Sequence, residues 1–208
     1  MKKILFACAL AFMAMAASAQ NARQILDDTA TKIKQMGDVK VCFAATSFSG
    51  TTEQAKTNGT ILLQGKKMHL STDDMKMWYN GKTQWSLMPE SGEVNVSTPT
   101  EREMTSMNPY SFLNLYKKGY KMKARQTKLR GKDVYEIHLT ARSSNANAQE
   151  IYIDVAKNDY SLLCIRVRQD NTWNRISIQS IQGNKHFNDA DFEFPKSEYP
   201  NVEIIDLR

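Results

Sequence analysis

Met77-Trp78-Tyr79-Asn80-Gly81-Lys82-Thr83-Gln84-Trp85-Ser86-Leu87 decides the fold. Two aromatic-bearing runs flank an Asn-Gly pair. Asn and Gly tolerate the positive φ angles that a tight hairpin turn needs, so the stretch reads as two antiparallel strands joined at Asn80-Gly81. The same punctuation recurs on both sides: Asn58-Gly59, Gly65, Ser91-Gly92, Gly131 and Lys157-Asn158-Asp159. Between these turns lie short runs with a period of two, beginning with Val39, Val41 and Phe43. The others cover 57–64, 67–71, 75–79, 83–88, 93–97, 120–128, 133–141, 149–155, 161–168 and 172–182. That makes about eleven strands. Connections this tight predict an antiparallel meander, because parallel neighbours need crossovers of about a dozen residues or more. So broad a sheet has to curl or close to hide its edges.

Two segments depart from the strand period. Over residues 22–36, Ile25, Leu26, Thr29, Ile33 and Met36 fall on a helical stripe, and Gly37 is a suitable stop. A lone helix of this length is marginal in water, so the stripe must cover something apolar. Residues 98–119 form a long insertion. Asn108 can cap a helix opened by Pro109, with Phe112, Leu115 and Tyr116 sharing one face. The insertion reads equally as a functional lid or as a crossover helix plugging the end of a barrel.

Residues 1–19 read as a secretory signal peptide. Lys2 and Lys3 precede an apolar run over 4–17, and Ala17-Ser18-Ala19 supplies small residues for cleavage before Gln20. The run is too short for a membrane span. Cys8 sits too early for lipid attachment. An exported domain over 20–208 is expected. The formal charge of +6 falls to +4 without the two lysines, and no block of like charge points to nucleic acid. Cys42 and Cys164 then remain, each embedded in an apolar run. They read as buried thiols, although an exported location permits a disulfide. With three scattered histidines no metal or redox constellation forms, and no cofactor is expected. Catalytic signatures are absent, and Asp73-Asp74 reads as a solvated turn, so an enzyme is not expected.

The strands carry a series of large apolar residues that the alternation places on one face: Val41, Phe43, Ile61, Leu63, Met68, Leu70, Met77, Trp85, Leu87, Val94, Val96, Ile137 and Ile153. Such a face is ordinarily a packed core. Two short helices cover little of it, however, and a wide bent sheet can keep an apolar interior for a ligand. Eleven methionines suit an adaptable surface, and equally an ordinary core.

The order of these features resembles the outer-membrane lipoprotein carrier (LolA) family. The resemblance rests on the signal and helix ending near Gly37, then Asn58-Gly59-Thr60-Ile61-Leu62-Leu63, then the Trp78 to Leu87 hairpin. It continues with Asn108-Pro109-Tyr110-Ser111-Phe112-Leu113 and ends with Phe192-Glu193-Phe194-Pro195 and Val202-Glu203-Ile204-Ile205-Asp206. It implies a mainly β fold with two or three short helices: an incomplete, strongly curved antiparallel barrel with a helical lid. The apolar residues above would line a lipid cavity. Ile25, Leu26, Ile33, Pro109, Phe112, Leu113 and Leu115 would form the lid. The implied function is a periplasmic carrier that takes acylated lipoproteins from an inner-membrane releasing transporter to an outer-membrane receptor, working as a monomer. A related periplasmic lipid-binding or lipid-sensing protein is the alternative, and a β-protein with a filled interior is a third. One departure stands out. Where the family has a basic residue followed by proline, with an arginine holding the lid, this chain has Gln64-Gly65-Lys66-Lys67, and lysine lacks the planar fork of arginine.

Overall fold

The computed structural model describes residues 21–100, 103, 104, 116, 117, 119–144, 146 and 148–208. The signal peptide expected over 1–19 lies outside them, as do Pro109, Phe112, Leu113 and Leu115 of the expected lid. Helix α1 spans residues 21–35. Twelve strands follow: β1 Val39–Ser49, β2 Thr52–Gln64, β3 Lys67–Thr72, β4 Lys76–Tyr79, β5 Gln84–Met88, β6 Glu93–Ser97, β7 Tyr120–Leu129, β8 Lys132–Ala141, β9 Glu150–Ala156, β10 Leu162–Gln169, β11 Thr172–Gln182 and β12 Glu203–Asp206. Their hydrogen-bonded order is β12-β6-β5-β4-β3-β2-β1-β11-β10-β9-β8-β7. The order has two ends, so the sheet is open, as the incomplete-barrel reading expects. No helix among the described residues is long and apolar enough to cross a membrane.

The chain forms two compact units, one of residues 1–33 with 110–175 and the other of residues 34–109 with 176–208. In the first, β7 to β10 make an antiparallel meander. Ile137 lies opposite Ile153, which lies opposite Ile165, and Leu139, Ile151 and Val167 form the next row. All six are buried, as are Ala22, Ile25, Leu26 and Thr29 on α1. The Thr29 hydroxyl donates back to the Ile25 carbonyl at 2.8 Å, which satisfies it inside the helix. Ile33 is half-buried.

Polar contacts fix α1 in this unit. The Lys32 ammonium donates to the Asp159 carbonyl at 2.7 Å, to Asp159 Oδ2 at 2.7 Å and to Ser161 Oγ at 2.8 Å. Tyr116 donates its hydroxyl to Asp27. The hydrogen bond from Lys32 holds the Asp159 carboxyl below its ordinary pKa. That contribution is present above the unfolded-state value and is lost as pH falls through the depressed folded value. Asp159 is largely exposed, so Lys32→Ala should cost only about 1 kcal/mol. Urea unfolding at neutral and acidic pH checks this: the loss should appear at neutral pH and fade in acid.

In the second unit β1 to β6 form a second antiparallel meander. Thr100 and Glu103 cap each other, with the Thr100 N–H donating to Glu103 Oε2 at 2.7 Å and the Glu103 N–H to Thr100 Oγ1 at 3.3 Å. Residues 103 and 104 behind this box are helical.

Several expectations need correction. Among the described residues there are twelve strands, close to the eleven or so expected, but the last, β12, pairs parallel with β6 and departs from the antiparallel meander. It reaches β6 after a long connection containing two short 3-10 turns, Asp189–Phe192 and Lys196–Glu198. Length removes the constraint that made every tight connection antiparallel. The β1–β2 hairpin also runs on to Ser49 and back from Thr52, through residues whose polarity hid the strand period.

Candidate functional site

In the second unit a β-bulge sets the register of two long apolar rows. At the tip of the β1–β2 hairpin Phe48 pairs with Glu53, but Ser47 pairs with Ala55, so one extra residue enters β2. The extra residue shifts the side-chain alternation by one. Val41 therefore falls opposite Ile61, and Val39 opposite Leu63, on the same face. The rows then continue strand by strand: Val41–Ile61–Leu70–Met77 and Val39–Leu63–Met68–Tyr79. Leu70 is half-buried and the other seven are buried.

Phe43 adds the third row and needs a glycine opposite it. A Cβ on Gly59 would lie 2.4 Å from Phe43 Cζ and 2.9 Å from Thr72 Cγ2. Gly59 is thus the floor on which the ring lies.

Both long rows change character at β5. Met77 is followed by Ser86, and Tyr79 by Gln84. The turn between the strands has four residues, since Tyr79 pairs with Gln84. Asn80 Oδ1 accepts from the backbone N–H groups of Lys82 and Thr83 at 3.1 and 3.0 Å. Trp85 and Leu87 consequently face the other side of the sheet, in register with Trp78 and Lys76. There Trp78, Leu87, Val94 and Val96 form a buried cluster against Trp85, Phe194, Tyr199 and Val202. His69 stacks on Trp78 at 5.1 Å, and its burial lowers its pKa.

The thirteen residues expected on one apolar wall therefore do not share one. Val41, Phe43, Ile61, Leu63, Met68, Leu70 and Met77 do. Trp85, Leu87, Val94 and Val96 belong to the opposite face, because an even-numbered turn alternates the side chains past it. Ile137 and Ile153 are core residues of the first unit. Of the expected lid, Ile25, Leu26 and Ile33 lie on α1. Lys67, the last residue of the Gln64-Gly65-Lys66-Lys67 stretch, pairs with Asp189 at 2.5 Å.

The face opposite the wall also carries a recess of about 630 Å³, lined by Cys42, Asn58, Thr60, Ser71, Lys76 and Gln179 among others. It is polar and open, unlike the wall. Cys42 and Cys164 are thiols, Cys42 half-buried and Cys164 buried.

A family model described as outer membrane lipoprotein carrier protein LolA matches residues 12–171. The chain belongs to the LolA family. Among proteins of curated function, none matches this LolA-family chain. Its fold is similar to that of a conserved protein from Thermus thermophilus, with a TM-score of 0.57, 8% identity, and coverage of 89% of this chain and 99% of that one. It is also similar to LprF from Mycobacterium bovis, with a TM-score of 0.53, 10% identity, and coverage of 86% and 98%. At such identity these likenesses concern the fold alone.

Proposed function

We propose that this LolA-family chain is a periplasmic carrier. It would be exported by the signal peptide at residues 1–19 and would hold the acyl chains of lipoproteins against the β1–β4 wall on the way to the outer membrane. An inner-membrane releasing transporter would supply the cargo and an outer-membrane receptor would accept it. The role is carriage, not catalysis. One observation carries this reading: the apolar rows run unbroken across four strands, and both a bulge and a glycine are spent on making them so. The family's description as a lipoprotein carrier supplies the class of cargo.

The energetics favour loose seating. Each buried methylene contributes about 0.8 kcal/mol, so full enclosure of three long chains would leave cargo that cannot be released. Partial burial against the wall keeps transfer reversible. Native mass spectrometry of the protein taken from its own periplasm should find bound lipoprotein; free lipid alone, or no ligand, would count against the carrier role. Leu70→Asp puts a carboxylate mid-wall at its half-buried position, where the fold tolerates it best. Affinity for a dansylated lipopeptide should fall at least about tenfold, because the chain would have to desolvate that charge. Unchanged affinity would place the ligand elsewhere.

A further inference from the structure

The end of the apolar wall carries an unsatisfied polar atom. Gln84 continues the row Val39–Leu63–Met68–Tyr79 and is only 8% exposed. Its Nε2 donates to Ser86 Oγ at 2.9 Å, while its Oε1 has no partner among the described residues. Turning the terminal amide over exchanges the two atoms: Oε1 would then accept from the Ser86 hydroxyl, and Nε2 would be left over. Either way one buried hydrogen-bonding atom is unused, which is rare in a native structure and costly unless something pairs with it.

Its neighbours on this face are polar too. Ser97 pairs with Gln84 and Asn95 with Ser86 on the adjoining strand. One face of the second unit is thus hydrocarbon over β1–β4 and polar over β5 and β6. An amphiphile has the same division.

We propose that Gln84 is a ligand-binding residue that hydrogen-bonds the ester or amide linkage at the head of a bound acyl chain. The chain lies along the β1–β4 wall and its linkage sits over β5. This rests on the carrier reading above and adds to it an orientation and a recognised group. A linkage carbonyl satisfies Nε2, and an amide N–H satisfies Oε1, so both settings of the side chain are served. A bare hydrocarbon chain serves neither.

Two dansylated probes test this: a dipalmitoyl-glyceryl-cysteinyl peptide, whose esters carry carbonyls, and its dihexadecyl ether analogue, which lacks them. The wild-type protein should bind the ester probe about fivefold more tightly, as one net hydrogen bond allows. Q84L should bind both probes equally, at the affinity of the ether. Q84M, unbranched and similar in length, is the second variant should Q84L fail to fold, as judged by its melting curve. A folded variant that keeps the ester preference overturns the assignment of Gln84, and so does a wild-type protein with no preference. Both results leave acyl binding standing. Failure of the wild-type protein to bind either probe overturns the carrier reading itself, and this inference with it.

Discussion

Arg166→Met should lower the unfolding free energy at neutral pH by about 3 kcal/mol, near the lower end of the range for breaking a buried ion pair. The lower end applies because about a third of the Arg166 side chain is exposed. The cost arises from what the arginine leaves behind. Glu136 and Asp154 face each other across β8 and β9 and are 6% and 2% exposed. Arg166 Nη2 donates to Glu136 Oε2 at 2.6 Å and lies 3.4 Å from Asp154 Oδ2. Its guanidinium also covers the Tyr152 ring at 4.7 Å, and that ring stacks on His138 at 4.2 Å. Methionine replaces the stem but not the charge. Glu136 would keep Arg125, at 2.5 Å, whereas Asp154 would lose its direct cationic partner.

The two carboxyls respond to pH in opposite senses. Burial pushes Glu136 up, but hydrogen bonds from Arg125 and Arg166 outweigh it and hold the group below its ordinary pKa. Its contribution is therefore present above the unfolded value and lost as pH falls through the folded one. Burial dominates at Asp154 and raises its pKa despite Arg166. Ionising Asp154 thus costs stability as pH rises from the ordinary aspartate value through the raised one. Without Arg166 both groups are worse off when charged, so the deficit should be largest at neutral pH. It should shrink near pH about 3, where carboxyls protonate. Urea titrations of both proteins at the two pH values measure this; an equal deficit at both would mean that packing, and not charge, is what the arginine supplies.

Gly59→Val should cost about 2 kcal/mol, within the range for forcing extra atoms into a packed site. It should also weaken binding of an acylated probe. The backbone at Gly59 is in ordinary strand conformation, so the need for glycine is purely one of space. The ring of Phe43, 7% exposed, can make room only by leaving the wall. Shortening the ring should remove the conflict, so Gly59→Val should cost much less in a Phe43→Leu background. A double-mutant cycle on melting data isolates that coupling. Strict additivity would show that the ring is not the reason for the glycine.

Much of this was legible in the sequence because local signals agreed. Asn80-Gly81 and the glycines at 65, 92 and 131 located most of the β-meander, and Gly37, at φ +62°, ends α1 where its sequence promised; Asn58-Gly59, by contrast, reads as a turn but lies inside β2, paired with β1 and β3. What escaped had no local signal. Residues 45–56 are too polar to show a strand period, although they complete the hairpin whose bulge sets the wall. Glu203-Ile204-Ile205-Asp206 is a strand only because β6 offers it an edge. The division between Tyr79 and Trp85, by contrast, could have been read in advance. Any turn with an even number of residues sends them to opposite faces, and counting large apolar residues without tracking that alternation merged two surfaces into one. Gln84 carries no signal of its own in the sequence, because a glutamine matters there only beside hydrocarbon neighbours.

That division also governs what light can report. The chain has three tryptophans. Trp78 and Trp85 look away from the wall, and Trp173 sits beside Tyr152. Cargo settling on β1–β4 would meet neither indole of its own unit directly, so emission from Trp78 and Trp85 should stay nearly silent on loading while still tracking unfolding. An indole installed in place of Tyr79 would give the wall a voice of its own.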